Sequence, residues 1–276
     1  MTYAALLAAA TQALAEALQL DAVAARLEAL LLLCHGFGIG RAQVLARLRD
    51  PAPPATAFDA LLARRLAGEP VAYILGEREF YGLALEVTPA VLIPRPETEL
   101  LVDTALATKP KRILEIGTGS GAIAIALAHH LPDANIIATD ISAEALEVAR
   151  HNGARHGIRQ IDWLQSDGYA GIPPQRFDVI VSNPPYVEEH DKCMNTGDLR
   201  FEPRAALSGG PDGFDVVRMI VAGAPAFLTP DGWLMFEHGF DQGARARELL
   251  AARFARIETL RDLASHERVT LGRLNR

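Results

Sequence analysis

The sequence predicts an α/β fold in which a mostly parallel seven-stranded sheet follows a small all-helical domain and a β-hairpin linker. Two observations predict it. Apolar residues recur only at helical spacing as far as residue 67, and strand-like and helix-like segments alternate from about residue 110. Such alternation is typical of a parallel sheet covered on both faces, with ligands at the carboxyl ends of its strands. We therefore expect a helical domain at 1–67, a linker at 68–95 and an α/β domain at 96–276.

The N-terminal domain is expected to contain four helices. Asp21 is a favourable N-cap for the second, and glycine or proline residues separate the others. The first helix is apolar, but it lacks a basic N-terminal region and polar residues interrupt it at helical spacing, which argues against a targeting segment. No run reaches the roughly 18 apolar residues that a membrane span needs. The expected helices are 3–19, 21–34, 40–49 and 56–67.

The linker is expected to form a β-hairpin with strands at 71–75 and 83–87, on either side of a glycine-containing turn. Two prolines then stiffen the chain before a helix that opens at Glu97. In the α/β domain, the expected helices are 120–130, 142–156, 213–226 and 241–253. The expected strands are 112–116, 135–139, 160–164, 177–182, 232–237, 255–260 and 267–273.

Composition narrows the functional classes. Half of the residues are hydrophobic, and the formal net charge is −7 at pH 7 with a pI near 5.6. This acidic balance argues against a protein that grips duplex nucleic acid through a broad basic face. The only cysteines, Cys34 and Cys193, argue against a disulfide framework or a cysteine-rich zinc site, and they fit a reducing, cytoplasmic setting. We expect no metal site.

A glycine-rich turn follows the first predicted strand of the sheet. The segment EIGTGSG, residues 115–121, leaves a buried strand and enters a helix. Glycine is needed there because the backbone turns tightly and must let a ligand approach where a β-carbon would clash. Asp140 ends the next strand, where an acidic side chain can accept hydrogen bonds from ribose hydroxyls.

Two cofactors fit this turn. Gly117, Gly119 and Ala122 satisfy the dinucleotide fingerprint, so a nicotinamide cofactor is an alternative. Glu115 favours S-adenosylmethionine, because a carboxylate beside the glycines attracts a cationic sulfonium ligand and repels a pyrophosphate. Asp167 follows the third strand and can accept a hydrogen bond from the exocyclic amine of adenine, although an ordinary Asx turn is an equal alternative.

The segment NPPY, residues 183–186, follows the fourth strand. The side-chain oxygen of Asn183 and the carbonyl of Pro184 can each accept one hydrogen from a planar NH₂ group. Pro184 and Pro185 lack N–H donors and favour extended backbone, so this corner presents acceptors. Tyr186 can pack its ring on a flat amide or base.

The acceptors suit a reaction at an amide nitrogen, which is a poor nucleophile because its lone pair is delocalised. Gripping both hydrogens aims that lone pair at an electrophilic methyl carbon and polarises the N–H bonds. Alignment and fixed dipoles then carry the reaction without a side-chain base at the outset. Asn183, Pro184 and Tyr186 are therefore the candidate catalytic residues.

Several separated blocks together resemble one family. EIGTGSG, Asp140 and NPPY resemble amino-group methyltransferases that use S-adenosylmethionine. More narrowly, the chain over roughly 65–273 resembles the release-factor glutamine methyltransferases (PrmC, also called HemK), through GEPVAYILGEREFYG, LIPRPETE, NPPYV, FEPRAALSGGPDG and FEHGFDQG. The resemblance implies a Rossmann-like class I methyltransferase fold. It also implies N5-methylation of the glutamine in the Gly-Gly-Gln motif of class 1 peptide chain release factors, with S-adenosylhomocysteine as the second product. Nothing in the sequence demands more than a monomer.

The site residues of that family map onto this chain. The resemblance implies that Asn183 contacts both cofactor and substrate amide, and that Pro184, Pro185 and Tyr186 complete the glutamine pocket. Members often carry an aromatic residue at position 168, where this chain has glycine, and Tyr169 is expected to replace it. The helical domain is expected to recognise the release factor. The expected cofactor residues are Glu115, Gly117, Thr118, Gly119, Ser120, Gly121, Asp140, Asp167, Gly168 and Asn183.

Four other residues have weaker assignments. Arg95, between two prolines, is expected to be structural rather than to orient the cofactor-side loop. Glu202 and Arg204 are expected either to pair with each other near the mouth of the site or to shape the substrate loop. His238 is expected to serve packing or loop geometry rather than to act as a base.

Three alternative functions stay open. A nucleic-acid methyltransferase acting on adenine or guanine shares the acceptor geometry, because a base amine is also a planar NH₂ group. The acidic pI and the lack of a basic insertion argue against it. A sister enzyme that methylates a glutamine of a ribosomal protein usually differs where this chain reads RPETE. A non-catalytic partner of release factors is disfavoured by the intact glycine turn and NPPY segment.

Overall fold

The computed structural model describes residues 1–275. Its N-terminal part is helical, as the sequence predicts, and the helices begin and end at recognisable caps. The Thr2 hydroxyl accepts a hydrogen bond from the Ala5 N–H at 3.3 Å, and the Asp21 carboxylate accepts two at the start of the second helix. Gly38, in the left-handed conformation, ends that helix. The helices are α1 (Tyr3–Leu18), α2 (Ala22–Phe37), α3 (Arg41–Ala46), α4 (Thr56–Leu66) and α5 (Val71–Leu75).

The last of these helices is a correction, because 71–75 was expected to be a strand. Pro70 occupies the N-cap of α5, and Gly76 ends it with φ +71°. Tyr73 and Ile74 are buried, so tertiary packing overrides the strand preference of these β-branched and aromatic residues. The hairpin directly follows this helix and consists of β1 (Glu77–Phe80) and β2 (Leu83–Glu86).

Residues 1–77 pack into one unit together with the short segment 195–201. The core of this unit includes Leu14, Leu33 and Phe58, each almost fully buried. Arg65 joins its parts: the guanidinium Nε donates to Glu28 Oε2 at 2.7 Å, and Nη1 donates to Asp198 Oδ1 at 2.8 Å. The unit therefore extends beyond the domain 1–67 that the sequence suggests.

The second unit contains the sheet, and all seven predicted strands are confirmed, with β7 beginning four residues early. Their order is β5-β4-β3-β6-β7-β9-β8. Strand β9 pairs with β7 and with β8 in antiparallel fashion, and the other pairs of this sheet within residues 1–275 are parallel. The strands are β3 (Arg112–Ile116), β4 (Asn135–Asp140), β5 (Ile161–Gln165), β6 (Phe177–Ser182), β7 (Leu228–Glu237), β8 (Phe254–Arg261) and β9 (Glu267–Leu274). The helices are α6 (Glu99–Ala107), α7 (Ala122–His130), α8 (Ala143–Arg155), α9 (Arg204–Leu207), α10 (Asp215–Phe227) and α11 (Gly243–Ala251).

Helices cover both faces of the sheet, and alternate strand residues divide between two apolar cores. Ile113 and Val181 belong to the core beneath α6 and α7, whereas Leu114 and Ile180 belong to the core beneath α10 and α11. This arrangement explains why the strands are apolar on both sides, as in parallel sheets generally. Functional side chains are consequently confined to the strand ends and the turns that follow them. Within residues 1–275, no helix is both long enough and apolar enough to cross a membrane.

Candidate active site

A cavity of about 470 Å³ lies at the carboxyl ends of β3, β4 and β6. The turns after these strands form one wall, and the segment between β2 and α6 forms another. Most of the residues that the sequence predicts for the site line this cavity. They are Glu115, Gly117, Thr118, Gly119, Ser120, Asp140, Asp167, Gly168, Asn183 and Pro185. Gly121, Pro184 and Tyr186 do not line it.

The glycines after β3 have different roles. Gly117 and Gly119 have positive φ, and a β-carbon added at either would meet no atom within 4 Å, so their backbone faces open space. At Gly121 an added β-carbon would lie 2.9 Å from Ile125 Cδ1 and 3.1 Å from the Trp163 ring. Gly121 therefore permits close packing at the start of α7, and its expected contact with a cofactor is not seen in the cavity wall.

Glu115 is fully buried at the floor of the cavity. Its Oε2 accepts hydrogen bonds from the Thr118 hydroxyl at 2.8 Å and the Ala124 N–H at 3.0 Å. Among the described residues, none forms a hydrogen bond with its Oε1. Burial raises the pKa of this carboxyl to about 7. A buried carboxylate oxygen without a partner is a site for a donor or a cation supplied from the cavity.

Asp140 ends β4 and organises the glycine turn. Its Oδ2 accepts from the Gly119 N–H at 2.9 Å, and its Oδ1 accepts from the Ser142 N–H at 2.9 Å. Each carboxylate oxygen keeps further acceptor capacity, and the side chain lines the cavity. Asp140 is thus held in place by backbone donors while it remains available to hydroxyl groups.

The turn after β6 meets the end of the next strand. Asn183 Nδ2 donates to Thr98 Oγ1 at 3.1 Å, and Thr98 Oγ1 donates to Glu237 Oε2 at 2.6 Å. The Tyr186 hydroxyl donates to Glu237 Oε1 at 3.3 Å. No group within residues 1–275 donates to Asn183 Oδ1, and Asn183 lines the cavity, so an acceptor remains for a ligand. Thr98 and Glu237 were not among the residues predicted from the sequence.

Burial dominates the electrostatics of this corner. It raises the pKa of Glu237 to about 7, partly offset by the Thr98 hydrogen bond and the positive charge of Arg268. Burial also raises the pKa of Tyr186, and the neighbouring Glu237 raises it further. The Tyr186 phenol is therefore neutral and acts as a donor. Its hydroxyl points at Glu237, whereas we had expected this side chain to line the amide pocket.

The expected aromatic substitution at Tyr169 is wrong. Its ring stacks on Phe227 with centroids 4.8 Å apart, and its hydroxyl donates to the Ile220 carbonyl at 2.9 Å. Gly168, with φ +54°, instead faces the thioether of Met219, which itself lines the cavity. Met219 thus supplies apolar surface beside the turn where the resemblance led us to expect an aromatic ring.

Glu202 does not pair with Arg204, contrary to one expectation. Its buried carboxylate pairs with Arg95 and accepts a hydrogen bond from the Ile93 N–H at 3.0 Å. Arg95 therefore ties the segment before α6 to the one before α9, consistent with a structural role. The ring nitrogens of His238 contact the Gly239 carbonyl and the Thr270 hydroxyl, both at 2.8 Å. Burial lowers the pKa of His238.

Comparison with known proteins shows where the chain belongs. Residues 5–76 match the PrmC N-terminal domain, and residues 96–203 match the Methyltransferase small domain. A release factor glutamine methyltransferase from Burkholderia pseudomallei is 50% identical over 262 residues, covering 90% of this chain and 92% of that protein. The chain belongs to the release factor glutamine methyltransferase family. A member from Escherichia coli is 46% identical over 257 residues, covering 90% of this chain and 92% of that protein.

Solved structures share the fold. A methyltransferase from Pyrococcus furiosus has a TM-score of 0.55 at 21% identity, covering 78% of this chain and 98% of that one. A Thermus thermophilus 16S rRNA N2 G1207 methyltransferase, in complex with AdoMet and guanosine, also has a TM-score of 0.55. Its sequence identity is 20%, and the match covers 72% of this chain and 50% of that one. These likenesses confirm the class I methyltransferase fold. Within residues 1–275, no group of three or more His, Cys, Asp or Glu side chains is placed to hold a metal ion.

Proposed function

We propose that the chain transfers a methyl group from S-adenosylmethionine to the side-chain amide nitrogen of the glutamine in the Gly-Gly-Gln motif of class 1 peptide chain release factors. One observation carries the proposal: Asn183 lines the cavity with its Oδ1 atom left without a donor, while its Nδ2 is held by Thr98. This oxygen is suited to accept a hydrogen bond from the NH₂ group of a carboxamide. Membership in the release factor glutamine methyltransferase family supports the same substrate.

The residues present fit S-adenosylmethionine. The unpartnered Oε1 of Glu115 suits a cationic ligand, and the open space beside Gly117 and Gly119 allows a ligand close to the backbone. Asp140 keeps acceptor capacity for hydroxyl groups, and Met219 offers apolar surface for a flat ring. The cofactor, when bound, supplies an electrophilic methyl group on a sulfonium sulfur.

The chain itself supplies orientation. Asn183 Oδ1 would accept one amide hydrogen of the glutamine. The carbonyl of the adjacent Pro184, which is not itself in the cavity wall, would accept the other. Two accepted hydrogen bonds fix the plane of the amide and push electron density toward its nitrogen. The acceptors would also stabilise the positive charge that develops on the nitrogen as its lone pair takes the methyl group and the carbon–sulfur bond breaks. The proton on nitrogen leaves after transfer, so no side-chain base has to act first.

The helical unit has a separate part in this proposal. Residues 1–67, which the sequence marks as a helical domain, would recognise the release factor away from its glutamine loop. The protein would act as a monomer in the cytoplasm, where release factors work. Nucleic acid would not be a direct partner, since the chain carries a net charge of −7.

Methyl transfer from labelled S-adenosylmethionine tests this assignment when release factor, ribosomal protein and nucleic acid are offered side by side. We expect label in the release factor, and none after substitution of its motif glutamine or after Asn183→Ala. The same Asn183→Ala enzyme should still bind S-adenosylhomocysteine. Label confined to ribosomal protein or to nucleic acid would reject the proposed substrate and favour one of the alternatives.

A further inference from the structure

The acceptor oxygen of Asn183 is useful only if the carboxamide is the right way round. An asparagine side chain has an oxygen and an NH₂ group of nearly equal size, and a half-turn about its last bond exchanges them. One orientation presents an acceptor to the cavity, and the other presents a donor that would repel the hydrogens of a substrate amide. The protein therefore needs a means of selecting one orientation.

A directed chain of hydrogen bonds makes the selection. Glu237, when ionised, is an acceptor only, so the Thr98 hydroxyl 2.6 Å away must donate to it. A hydroxyl has a single hydrogen, so Thr98 can then only accept from Asn183. The atom of Asn183 that lies 3.1 Å from Thr98 Oγ1 must accordingly be the NH₂ nitrogen. The carboxylate thereby sets the direction of every bond in the chain.

We propose that Thr98 and Glu237 are positioning residues for methyl transfer, which hold the Asn183 carboxamide with its oxygen toward the substrate NH₂ group. This proposal rests on the proposed function, but it applies to any substrate that offers a planar NH₂ group to Asn183. Thr98 lines the cavity and Glu237 does not, and in this proposal both act through Asn183. Thr98 and Glu237 are buried, so solvent does not compete for the bonds that fix the direction.

The sheet brings together Asn183 and Glu237, the two ends of this series of hydrogen bonds. Strands β6 and β7 are parallel neighbours, with Ser182 opposite Phe236. Asn183 directly follows β6 and Glu237 is the last residue of β7, so both lie one residue beyond this pair at the same edge of the sheet. Thr98 ends a 3-10 turn immediately before α6 and lies between them. The strand register brings Asn183 and Glu237 together, and the turn before α6 adds Thr98 from a distant part of the sequence.

The direction depends on the charge of Glu237. Thr98 and Tyr186 donate to its two oxygens, the positive charge of Arg268 favours ionisation, and the negative charge of Glu97 opposes it. Burial outweighs the favourable contacts and raises the pKa of Glu237 to about 7. Once protonated, Glu237 can donate to Thr98 Oγ1, and Thr98 is then free to donate to Asn183 Oδ1. When the pH is lowered through 7, the Asn183 carboxamide is therefore no longer held in a single orientation.

Isosteric substitutions test the chain. Thr98→Val removes the hydroxyl and keeps the shape, Thr98→Ser keeps the hydroxyl, and Glu237→Gln removes only the charge. Thr104→Val is a matched control, because the Thr104 hydroxyl on α6 donates only to the Leu100 carbonyl at 2.6 Å. Rates would be measured with saturating cofactor on whichever substrate the wild-type enzyme methylates. Affinity for S-adenosylhomocysteine would be measured by calorimetry.

We expect Thr98→Val to lower kcat at least tenfold, and Thr98→Ser to recover it to within about threefold of the wild type. The affinity for S-adenosylhomocysteine should stay within about twofold in both. The wild-type kcat should fall as the pH is lowered through about 7. The kcat of Glu237→Gln should be low and should not change with pH in this range. Unchanged kcat in Thr98→Val, or an equal loss in Thr98→Ser, would overturn the proposal.

A readout without turnover addresses the geometry itself. The side-chain NH₂ hydrogens of Asn183, followed by NMR in labelled protein, should exchange slowly with solvent in the wild type. In Thr98→Val they should exchange at least tenfold faster, and in Thr104→Val they should not change. Equal exchange rates in Thr98→Val and the wild type would refute the proposed role of Thr98 in orienting Asn183, even if release factor is the substrate. Conversely, loss of the release-factor assignment leaves this experiment unaffected.

Discussion

The thioether of Met219 fills the space in front of Gly168, at the point where a β-carbon on that residue would project. Gly168 has φ +54°, which a larger residue adopts only with strain. The two residues therefore form one piece of cavity wall, with the turn after β5 supplying the space and α10 supplying the side chain. Because Met219 is unbranched and polarisable, it can follow the face of an aromatic ligand.

We predict that Met219→Ala weakens binding of S-adenosylhomocysteine by about 2- to 10-fold, the range expected for loss of a sulfur–aromatic contact. Met219→Leu, which restores most of the apolar surface, should bind within about twofold of the wild type. Calorimetry on the three proteins measures the difference. Equal affinities in Met219→Ala and the wild type would show that this wall does not touch the purine ring.

Glu115 should make stability depend on pH. Its folded-state pKa, about 7, lies above its ordinary value of 4.5, so between these values the folded state binds more protons than the unfolded state. Stability is therefore lost as the pH rises through this window. At pH 8, without ligand, Glu115→Gln should be stabilised relative to the wild type by on the order of 3 kcal/mol more than at pH 4.5.

Chemical denaturation at both pH values measures this difference, with Glu248→Gln, an exposed substitution on α11, as the control. The stabilised Glu115→Gln protein should nevertheless bind S-adenosylmethionine more weakly, because the carboxylate that attracts the cationic sulfonium is gone. A stability gain that is the same at pH 4.5 and pH 8 would contradict the raised pKa of Glu115.

The pair formed by Arg95 and Glu202 should matter to stability more than a surface pair does. Glu202 has no exposed side-chain area, so Arg95→Ala leaves a buried carboxylate without its cation and should cost about 3 kcal/mol. The matched control is Arg112→Ala. Arg112 pairs with Asp178 at 3.3 Å, and their side chains are 46% and 32% exposed, so its loss should cost less than about 1 kcal/mol.

Adding Glu202→Gln to Arg95→Ala should recover most of the lost stability, because the buried charge disappears with its partner. Urea denaturation of the single and double variants measures the recovery. A double variant no more stable than Arg95→Ala would mean that Arg95 acts through packing and not through its charge.

The proposed role of the helical unit can be tested without cutting the chain. Deleting residues 1–67 would divide the unit, since Ile74 belongs to its core and Asp198 binds Arg65. On α2, Val23 and Leu27 lie four residues apart on one face, with 79% and 43% of their surface exposed. We predict that Val23→Glu combined with Leu27→Glu weakens release-factor binding at least tenfold.

Affinity for S-adenosylhomocysteine should not change in that double variant, which would show that the cofactor cavity is intact, and an unchanged far-ultraviolet circular dichroism spectrum would show that the helical unit is folded. Leu263→Glu, at a fully exposed position in the turn between β8 and β9, provides a control in the other unit. Release-factor binding that is equally reduced by Leu263→Glu, or unchanged by the α2 variant, would remove this face from the proposed recognition surface.

Most of the fold follows from local patterns in the sequence. Apolar strand residues, the glycine turn at 117–121 and helix caps such as Asp21 act over a few residues, so they can be recognised without knowledge of the tertiary structure. The helix at 71–75 was missed because its composition favours a strand. Its only local signals are the proline before it and the glycine after it.

The errors at the site have a common physical cause. Glu202 was matched to Arg204 because they are close in sequence, whereas its partner Arg95 lies 107 residues away. Tyr169 was matched to the cavity because it adjoins Gly168, but the positive φ of that glycine turns the chain and sends the ring toward Phe227. Glu237 was missed because only the register of β6 and β7 brings it beside Asn183, and Thr98 was missed because only the tertiary fold brings the turn before α6 into contact with both.

That register has an evolutionary consequence. Amino acids can be exchanged throughout the two strands, and the sheet can twist more or less from one homologue to another, without separating Asn183 from Glu237. Glu237 is the last residue of β7 and Asn183 directly follows β6, so both adjoin the paired residues Ser182 and Phe236. An insertion or deletion inside either strand would separate them by one step at once. Among homologues, the lengths of β6 and β7 should therefore vary much less than the identities of their side chains.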